Sequence, residues 1–174
     1  MARPRTPKGR ARVTNERLAA EYPDAVCELD HRNAYELLIA TVLSAQSTDA
    51  RINMVTPALF ERFPLPEDLA HADPTEVEEL VHSTGFYKAK TRSIMGLAGA
   101  LVDRFDGQVP GAMKDLVSLP GVGRKTANVV RSVALGLPGL PVDTHVLRLS
   151  RRLGLTESLS DDDARDAVKV ESVL

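Results

Sequence analysis

The stretch LPGVGRKTANVV, residues 119–130, constrains the fold of this chain more than any other feature. Leu119 is followed by Pro120, and a residue that precedes proline avoids the helical conformation, so one apolar-periodic segment ends here. Gly121 and Gly123 then permit backbone conformations and a close approach that a side chain would block. A new apolar-periodic segment begins immediately afterwards. The pattern predicts two helices joined by a tight hairpin.

Lys125 lies in the first turn of the second predicted helix, an unfavourable place for a cation. The helix macrodipole disfavours a lysine there by roughly 0.3 to 1 kcal/mol, and Arg124 adds like-charge repulsion. Both effects favour the uncharged amine, which can attack a carbonyl-like carbon and form a Schiff base. The N–H groups of the same helix start can bind a phosphate, so the pattern suggests sugar-phosphate chemistry. The alternative is an ordinary helix-turn-helix corner with a surface lysine.

Asp143, in the segment VDTHV, is the second candidate for a chemical role. It stands at a predicted helix start, where its side chain can accept backbone N–H bonds, and an ordinary N-cap is the alternative interpretation. The two roles are compatible. A capped carboxylate is a weak base, so we expect Asp143 to stabilise positive charge at a sugar C1 more than to take a proton from Lys125.

The rest of the chain shows helical periods with capping and breaking residues, and no strand alternation of any length, so we predict an all-α fold. The predicted helices cover about 14–22, 34–46, 48–63, 74–84, 87–105, 113–119, 125–137 and 144–153, with a last one from Asp161. Their predicted inward residues include Leu37, Leu38, Val42 and Ala45 in the second helix, and Ala127, Val130, Ala134 and Leu137 in the hairpin helix.

Charge is unevenly distributed along the chain, whose net charge is -2. Residues 1–12 contain basic side chains and no acid, which leaves the remainder acidic. The composition therefore argues against general nucleic-acid binding, and any DNA contact would come from a local patch or from this arm. We expect residues 1–12 to form a basic, disordered arm.

Cysteine and histidine usage gives no sign of a metal site. Cys27 is the single cysteine, so it cannot form an internal disulfide or hold a metal without partners. The four histidines show no metal-ligand spacing. No apolar run reaches the ~18 residues of a membrane span and the N-terminus has no secretory signal, so we expect a cytoplasmic protein.

Taken together, LPGVGRKTANVV, VDTHV, the upstream LLIATVLSAQSTDARIN and the GFYKAK segment closely resemble the endonuclease III family of bifunctional DNA glycosylases and abasic-site lyases. The resemblance covers roughly residues 18–174. It implies a helix-hairpin-helix DNA glycosylase fold with two helical lobes, and a monomer that acts on double-stranded DNA in the bacterial nucleoid. Residues 13–30 would form a helix of the second lobe, 31–138 the barrel lobe with the hairpin at about 114–137, and 139–174 part of the second lobe.

The resemblance also implies a role for each matching residue. A damaged, oxidised pyrimidine is flipped out of the duplex, Lys125 attacks C1 of its deoxyribose, and β-elimination from the Schiff base cuts the strand on the 3′ side. Asp143 assists that attack, Gln46 fills the space left by the flipped base, and Phe86 is a wedge. The hairpin residues that would bind DNA are Gly121, Val122, Gly123, Arg124 and Thr126. The residues alone leave open a helix C-terminal polar residue for Gln46 and a core aromatic for Phe86.

In one respect this chain departs from the family. The family holds a [4Fe-4S] cluster with four cysteines, whose counterparts we expect beyond Leu174, so we expect no cofactor here. Val168, Val170 and Val173 still follow an apolar pattern at the end of the sequence, so we expect an incomplete second lobe and weak activity. Two other hypotheses are a non-catalytic DNA-binding module and an inactive, partly folded fragment. The nearest alternative enzyme is a mismatch-adenine glycosylase of the same superfamily. Those glycosylases lack a lysine at the position of Lys125.

Overall fold

The structure, a computed structural model, describes residues 4–156, and this part of the chain contains only helices and loops. The helices are α1 (Pro7–Glu21), α2 (Ala34–Leu43), α3 (Asp49–Arg62), α4 (Pro66–Ala70), α5 (Pro74–Val81), α6 (Tyr87–Phe105), α7 (Met113–Leu116), α8 (Arg124–Val133) and α9 (Thr144–Leu153), with a 3₁₀ turn at His82–Thr84. The all-α prediction is confirmed. The helix predicted from Asp161, with its apolar valines, lies outside the described residues.

The chain divides into two compact units. One unit is Cys27–Gly139 and contains α2 to α8. The other combines Met1–Val26 with Leu140–Leu174 and contains α1 and α9. Across residues 4–156, no helix combines the length and the apolar character that crossing a membrane requires.

Helix α2 is the centre of the larger unit. Most of its residues are buried, and Leu37, Leu38 and Ile39 have no exposed surface at all. Helices α3, α6 and α8 all contact it. A helix that is apolar on every side is a core helix, so α2 buries its whole circumference rather than the single stripe predicted from the sequence. Ala45, predicted to face inward, is exposed because α2 ends at Leu43.

The start of α2 buries a carboxylate, and that carboxylate is paired. Glu36 is 2% exposed. The Arg32 backbone N–H donates to Glu36 Oε2 at 2.7 Å, and Arg32 Nε donates to Oε1 at 2.8 Å. The side-chain hydrogen bond to Glu36 and the charge of that carboxylate raise the pKa of the Arg32 guanidinium. Asn33 completes the helix start, because its Oδ1 accepts from the Glu36 N–H at 2.9 Å.

Several predicted helix limits are confirmed by cap geometry. Thr48 Oγ1 accepts from the Arg51 N–H at 3.3 Å at the start of α3, and Asp73 Oδ1 accepts from the Thr75 N–H at 2.7 Å at the start of α5. Helix α6 spans the predicted residues and ends at Phe105, because the following Asp106 has a φ of 53° that breaks the helical conformation. Short polar side chains and left-handed residues are strong local signals, which is why these limits could be read directly.

The end of the hairpin helix was predicted incorrectly. Helix α8 stops at Val133, and Gly136 then adopts a φ of 62°. Leu137, predicted to face inward, is instead 38% exposed. A loop replaces the last predicted turn of the helix. Arg131 fixes this loop, because its guanidinium donates to the carbonyls of Gly111 and Pro138. Helix α7 likewise ends early, at Leu116 instead of residue 119.

The prediction of a disordered arm is wrong for residues 7–12, which belong to α1. Thr6 caps this helix by accepting from the Gly9 N–H at 3.1 Å, and Pro7 occupies the first helical turn, which it favours. Arg10 Nε donates at 2.7 Å to the Gly154 carbonyl at the end of α9. A basic side chain is favourable at a helix C-terminus. Arg10, which the sequence places in a solvated tail, therefore links α1 to the end of α9 within one unit.

We expect Leu38→Ala to lower the free energy of unfolding by about 2 to 5 kcal/mol, because it leaves a cavity in the centre of the core. Met54→Ala on α3 is the matched control, since Met54 is 71% exposed and its loss should change stability by less than about 0.5 kcal/mol. Urea unfolding followed by circular dichroism measures both. Equal midpoints for the two variants would contradict the central position of α2.

Candidate functional site

The hairpin between α7 and α8 is placed by a glycine that contacts two other helices. Gly121 has a φ of 74°, a left-handed value that a side chain disfavours. A Cβ added there would lie 3.1 Å from Ser93 Cβ on α6 and 3.3 Å from Val42 Cγ1 on α2. Leu119 and Val122, on either side, are 3% and 7% exposed. The turn is therefore fixed against the core by close packing on both sides.

The second glycine of the hairpin is different. Gly123 has a φ of -91° and is the N-cap of α8, so its backbone conformation is open to any residue. A Cβ added there would meet nothing within 4 Å. Neither the conformation nor the packing of the described residues requires glycine at this position. The missing side chain leaves an exposed surface at a helix start, where a ligand can approach the backbone closely.

The first turn of α8 presents its charged residues to solvent, and apolar residues further along the helix pack against the core. Arg124 and Lys125 are exposed and Thr126 is half-buried, whereas Ala127 and Val130 have no exposed surface. The prediction that Lys125 lies in the first helical turn is confirmed. The Val122 side chain belongs to the core, so this hairpin residue can contact a ligand only through its backbone.

Asp143 is the N-cap of α9. Its Oδ1 accepts from the Val146 N–H at 2.8 Å, which confirms the predicted cap. The carboxylate is half-buried, and neighbouring Val142 and Leu147 form a small apolar cluster with Leu140 and Val146. Asp143 belongs to the unit that contains the chain ends, whereas Lys125 belongs to Cys27–Gly139. Each candidate is held at the start of its own helix.

Gln46 and Phe86 both adopt left-handed backbone conformations, with φ values of 55° and 48°. Both are exposed, and Phe86 exposes 71% of its surface. The interpretation of Phe86 as a core aromatic is therefore wrong, and Gly85, directly before it, also has a positive φ, of 72°. Gln46 lies beyond the end of α2, in the turn that leads to α3. Left-handed bulky residues are rare and cluster at functional sites.

Lys90 was not identified from the sequence as a site residue, yet it joins the Gln46 and Phe86 segments. Its Nζ donates to the Thr84 carbonyl at 2.7 Å and to Ser47 Oγ at 2.9 Å. Lys90 is 6% exposed, and burial lowers its pKa. A helical signal was present, because Lys90 shares the i, i+4, i+7 face of α6 with the buried Ile94 and Leu97. A lysine on a buried face indicates a specific set of acceptors.

The described residues offer no assembled metal site, since no group of three His, Cys, Asp or Glu side chains converges within residues 4–156. The iron-sulfur cluster that the resemblance implies requires four cysteine thiolates. The whole chain contains Cys27 alone. The residues present therefore do not fit such a cluster.

Comparisons with known proteins agree with this geometry. The HhH-GPD superfamily of base excision DNA repair proteins matches residues 39–171. Endonuclease III of Synechocystis sp. is 53% identical over 151 residues, which cover 86% of this chain and 66% of that protein. The chain thus spans slightly less than two thirds of that relative. These findings confirm the resemblance stated from the sequence.

Two solved structures share the fold over most of the chain. A non-covalent endonuclease III–DNA complex superposes with a TM-score of 0.84 at 45% identity, covering 96% of this chain and 78% of that one. A trapped endonuclease III–DNA covalent intermediate gives a TM-score of 0.85 at 46% identity, with the same coverage. The predicted fold class is confirmed.

The two hairpin glycines should respond differently to alanine. Gly121→Ala is expected to destabilise the protein by at least about 1 to 2 kcal/mol, because it combines a left-handed φ with close contacts to α2 and α6. Gly123→Ala, in open space with an ordinary φ, should cost only the preference of an N-cap for glycine over alanine, about 0.5 kcal/mol. Thermal unfolding measures both, and equal losses of stability would show that Gly123 is a packing residue.

Proposed function

Because this chain belongs to the HhH-GPD superfamily of base excision DNA repair proteins, we propose that it is a DNA glycosylase that removes damaged bases and cleaves the strand at abasic sites. The observation that carries this proposal is an exposed lysine, Lys125, in the first turn of α8, directly after the open Gly123. The similarity to the DNA complex of endonuclease III supports duplex DNA as the substrate. Oxidised pyrimidines are the proposed damaged bases.

The hairpin is the proposed phosphate-binding element. The N-terminus of α8 carries the positive end of the helix dipole, and Gly123 lets a phosphate approach its backbone without a side chain in the way. Arg124, exposed beside it, adds a positive charge. Such contacts position the duplex independently of its sequence, so they place a sugar near Lys125 rather than select a base.

Lys125 is the proposed nucleophile. Its uncharged amine attacks C1′ of the damaged nucleotide, a C–N bond forms, and the glycosidic bond breaks as its electron pair leaves with the base. The amine loses a proton and the sugar ring opens to give a protonated Schiff base. Loss of a proton from C2′ then expels the 3′ phosphate by β-elimination and cuts the strand. The fold that this chain shares with a trapped endonuclease III–DNA covalent intermediate supports a covalent route.

Asp143 is the proposed charge-stabilising group. Its carboxylate, held by the Val146 N–H, is suited to stabilise the positive charge that develops at C1′ as the base departs. A side chain already fixed as a helix cap requires little reorganisation during the reaction. We propose this role as the larger one, with proton transfer from Lys125 as the smaller.

Gln46 and Phe86 are the proposed residues that keep the damaged nucleotide out of the duplex. Extruding a nucleotide costs unstacking and unpairing energy, and side chains that occupy the vacated space offset it. Phe86, at the N-cap of α6 with 71% of its surface exposed, is suited to wedge between bases. Gln46 offers amide donors and acceptors for the unpaired base opposite. We propose that the protein carries out these steps as a monomer at the bacterial nucleoid.

Lys125→Gln should abolish covalent trapping, because glutamine keeps the length and polarity of the side chain but has no nucleophilic amine. The measurement is borohydride reduction with a duplex containing one abasic site, followed by mass spectrometry of the adduct. Lys114→Gln, at an exposed lysine on α7, should trap like the wild type. A cooperatively folded wild-type chain that binds DNA without forming an adduct would instead indicate a non-catalytic DNA-binding module.

Asp143→Asn should slow base removal by about 10²-fold or more, in line with the effect of removing one charged catalytic group. Asparagine still caps a helix well, so the stability of α9 should change little. Single-turnover release of an oxidised pyrimidine measures the chemical step. A rate within about threefold of the wild type would restrict Asp143 to its capping role.

A further inference from the structure

A closed set of hydrogen bonds joins Lys90, Ser47 and Thr84. Lys90 Nζ donates to the Thr84 carbonyl and to Ser47 Oγ, and the Ser47 hydroxyl donates to the same carbonyl. Lys90 and Thr84 are 6% and 3% exposed. Within residues 4–156, no carboxylate forms an ion pair with Lys90. A buried ammonium must be satisfied by its surroundings, and here those acceptors come from two separate segments.

Each acceptor stands next to an exposed residue with a left-handed backbone. Ser47 directly follows Gln46, and the Thr84 carbonyl precedes Gly85 and Phe86. The Lys90 backbone N–H also donates to the Phe86 carbonyl, at 3.1 Å. Lys90 therefore contacts the Phe86 segment through both its backbone and its side chain, and it contacts the Gln46 segment through its side chain.

Within residues 4–156, the other hydrogen bonds of Ser47 and Thr84 are local. The Ser47 N–H donates to the Ser44 carbonyl, and Thr84 Oγ1 donates to the Val81 carbonyl. Each of these bonds stays within its own segment. The left-handed conformations of Gln46 and Phe86 cost free energy, so they persist only where surrounding contacts fix the backbone. The Lys90 ammonium and the Ser47 hydroxyl provide polar links that cross from one segment to the other.

We propose that Lys90 is a positioning residue that sets the spacing between the Gln46 and Phe86 segments, so that both side chains act on the same extruded nucleotide. What the two side chains contact rests on the function proposed above. The link between the segments rests only on the hydrogen bonds described here. Lys90 acts through its neighbours and does not touch the reacting atoms.

The first test compares lesion discrimination in Lys90→Met and Lys88→Met. Methionine fills most of the lysine volume and removes the donor, and the control loses the same charge at an exposed position of α6. We measure the affinity ratio between a duplex with a tetrahydrofuran abasic-site analogue and the intact duplex, at one salt concentration. The ratio should fall about tenfold in Lys90→Met. In Lys88→Met both affinities should change together and leave the ratio intact.

The second test measures the link without DNA. Amide hydrogen exchange in residues 44–48 and 82–87 should accelerate about tenfold in Lys90→Met and stay unchanged in Lys88→Met. Ser47→Ala, at a half-buried loop position, provides a variant that leaves the core intact. It should lower the discrimination ratio about tenfold, as Lys90→Met does, since both hydrogen bonds that cross between the two segments pass through the Ser47 hydroxyl.

A double-mutant cycle separates positioning from general destabilisation. Phe86→Ala should cost much of the discrimination in the wild type and little more in the Lys90→Met background, because Lys90 acts through the placement of Phe86. Fully additive losses, or a Lys90→Met protein with unchanged discrimination and exchange, would overturn the proposal. If the wild type bound the abasic-site analogue no better than the intact duplex, both the proposed DNA function and the recognition role of Lys90 would be wrong. Hydrogen exchange would then still decide whether the link exists.

Discussion

The near-complete burial of α2 is the constraint on which the larger unit depends. With no exposed face on Leu37, Leu38 or Ile39, α3, α6 and α8 take their places from contact with one helix. The chain that leaves α2 must then turn at once toward the surface, which it does through the left-handed Gln46. Val42, near the same end, contacts the Gly121 turn, so a single buried helix fixes both the hairpin and the Gln46 loop.

Polar groups complete what apolar packing begins. Apolar contact is roughly non-directional and places helices, whereas a loop needs directional bonds to hold one conformation. The Lys90 ammonium supplies such bonds to Ser47 and Thr84, and Arg131 supplies them to the loop that follows α8. In both places a long basic side chain reaches carbonyls that no helix satisfies. The Gln46 and Phe86 segments, which are proposed to contact DNA, are thus joined to each other by the bonds of Lys90 and Ser47.

The two hairpin glycines show how one motif combines folding and binding. Gly121 serves the fold, because its φ disfavours a side chain and an added Cβ would lie 3.1 Å from Ser93 Cβ and 3.3 Å from Val42 Cγ1. Gly123 has no such internal reason, and open space at a helix start is what an approaching phosphate requires. The sequence places the glycines two positions apart without distinguishing them. Their separate roles appear only when the surrounding atoms are in place.

The sequence by itself determined the helical class, the caps at Asn33, Thr48, Asp73 and Asp143, and the place of Lys125 in a first helical turn, because short-range sterics and hydrogen bonds set these features. It did not determine that α1 begins at Pro7, that α8 stops at Val133, or that Phe86 is exposed. Those outcomes depend on contacts between distant residues, such as Arg10 with Gly154 and Arg131 with Gly111. The Lys90 link belongs to the same class, since only the tertiary structure brings Ser47 and Thr84 to one ammonium.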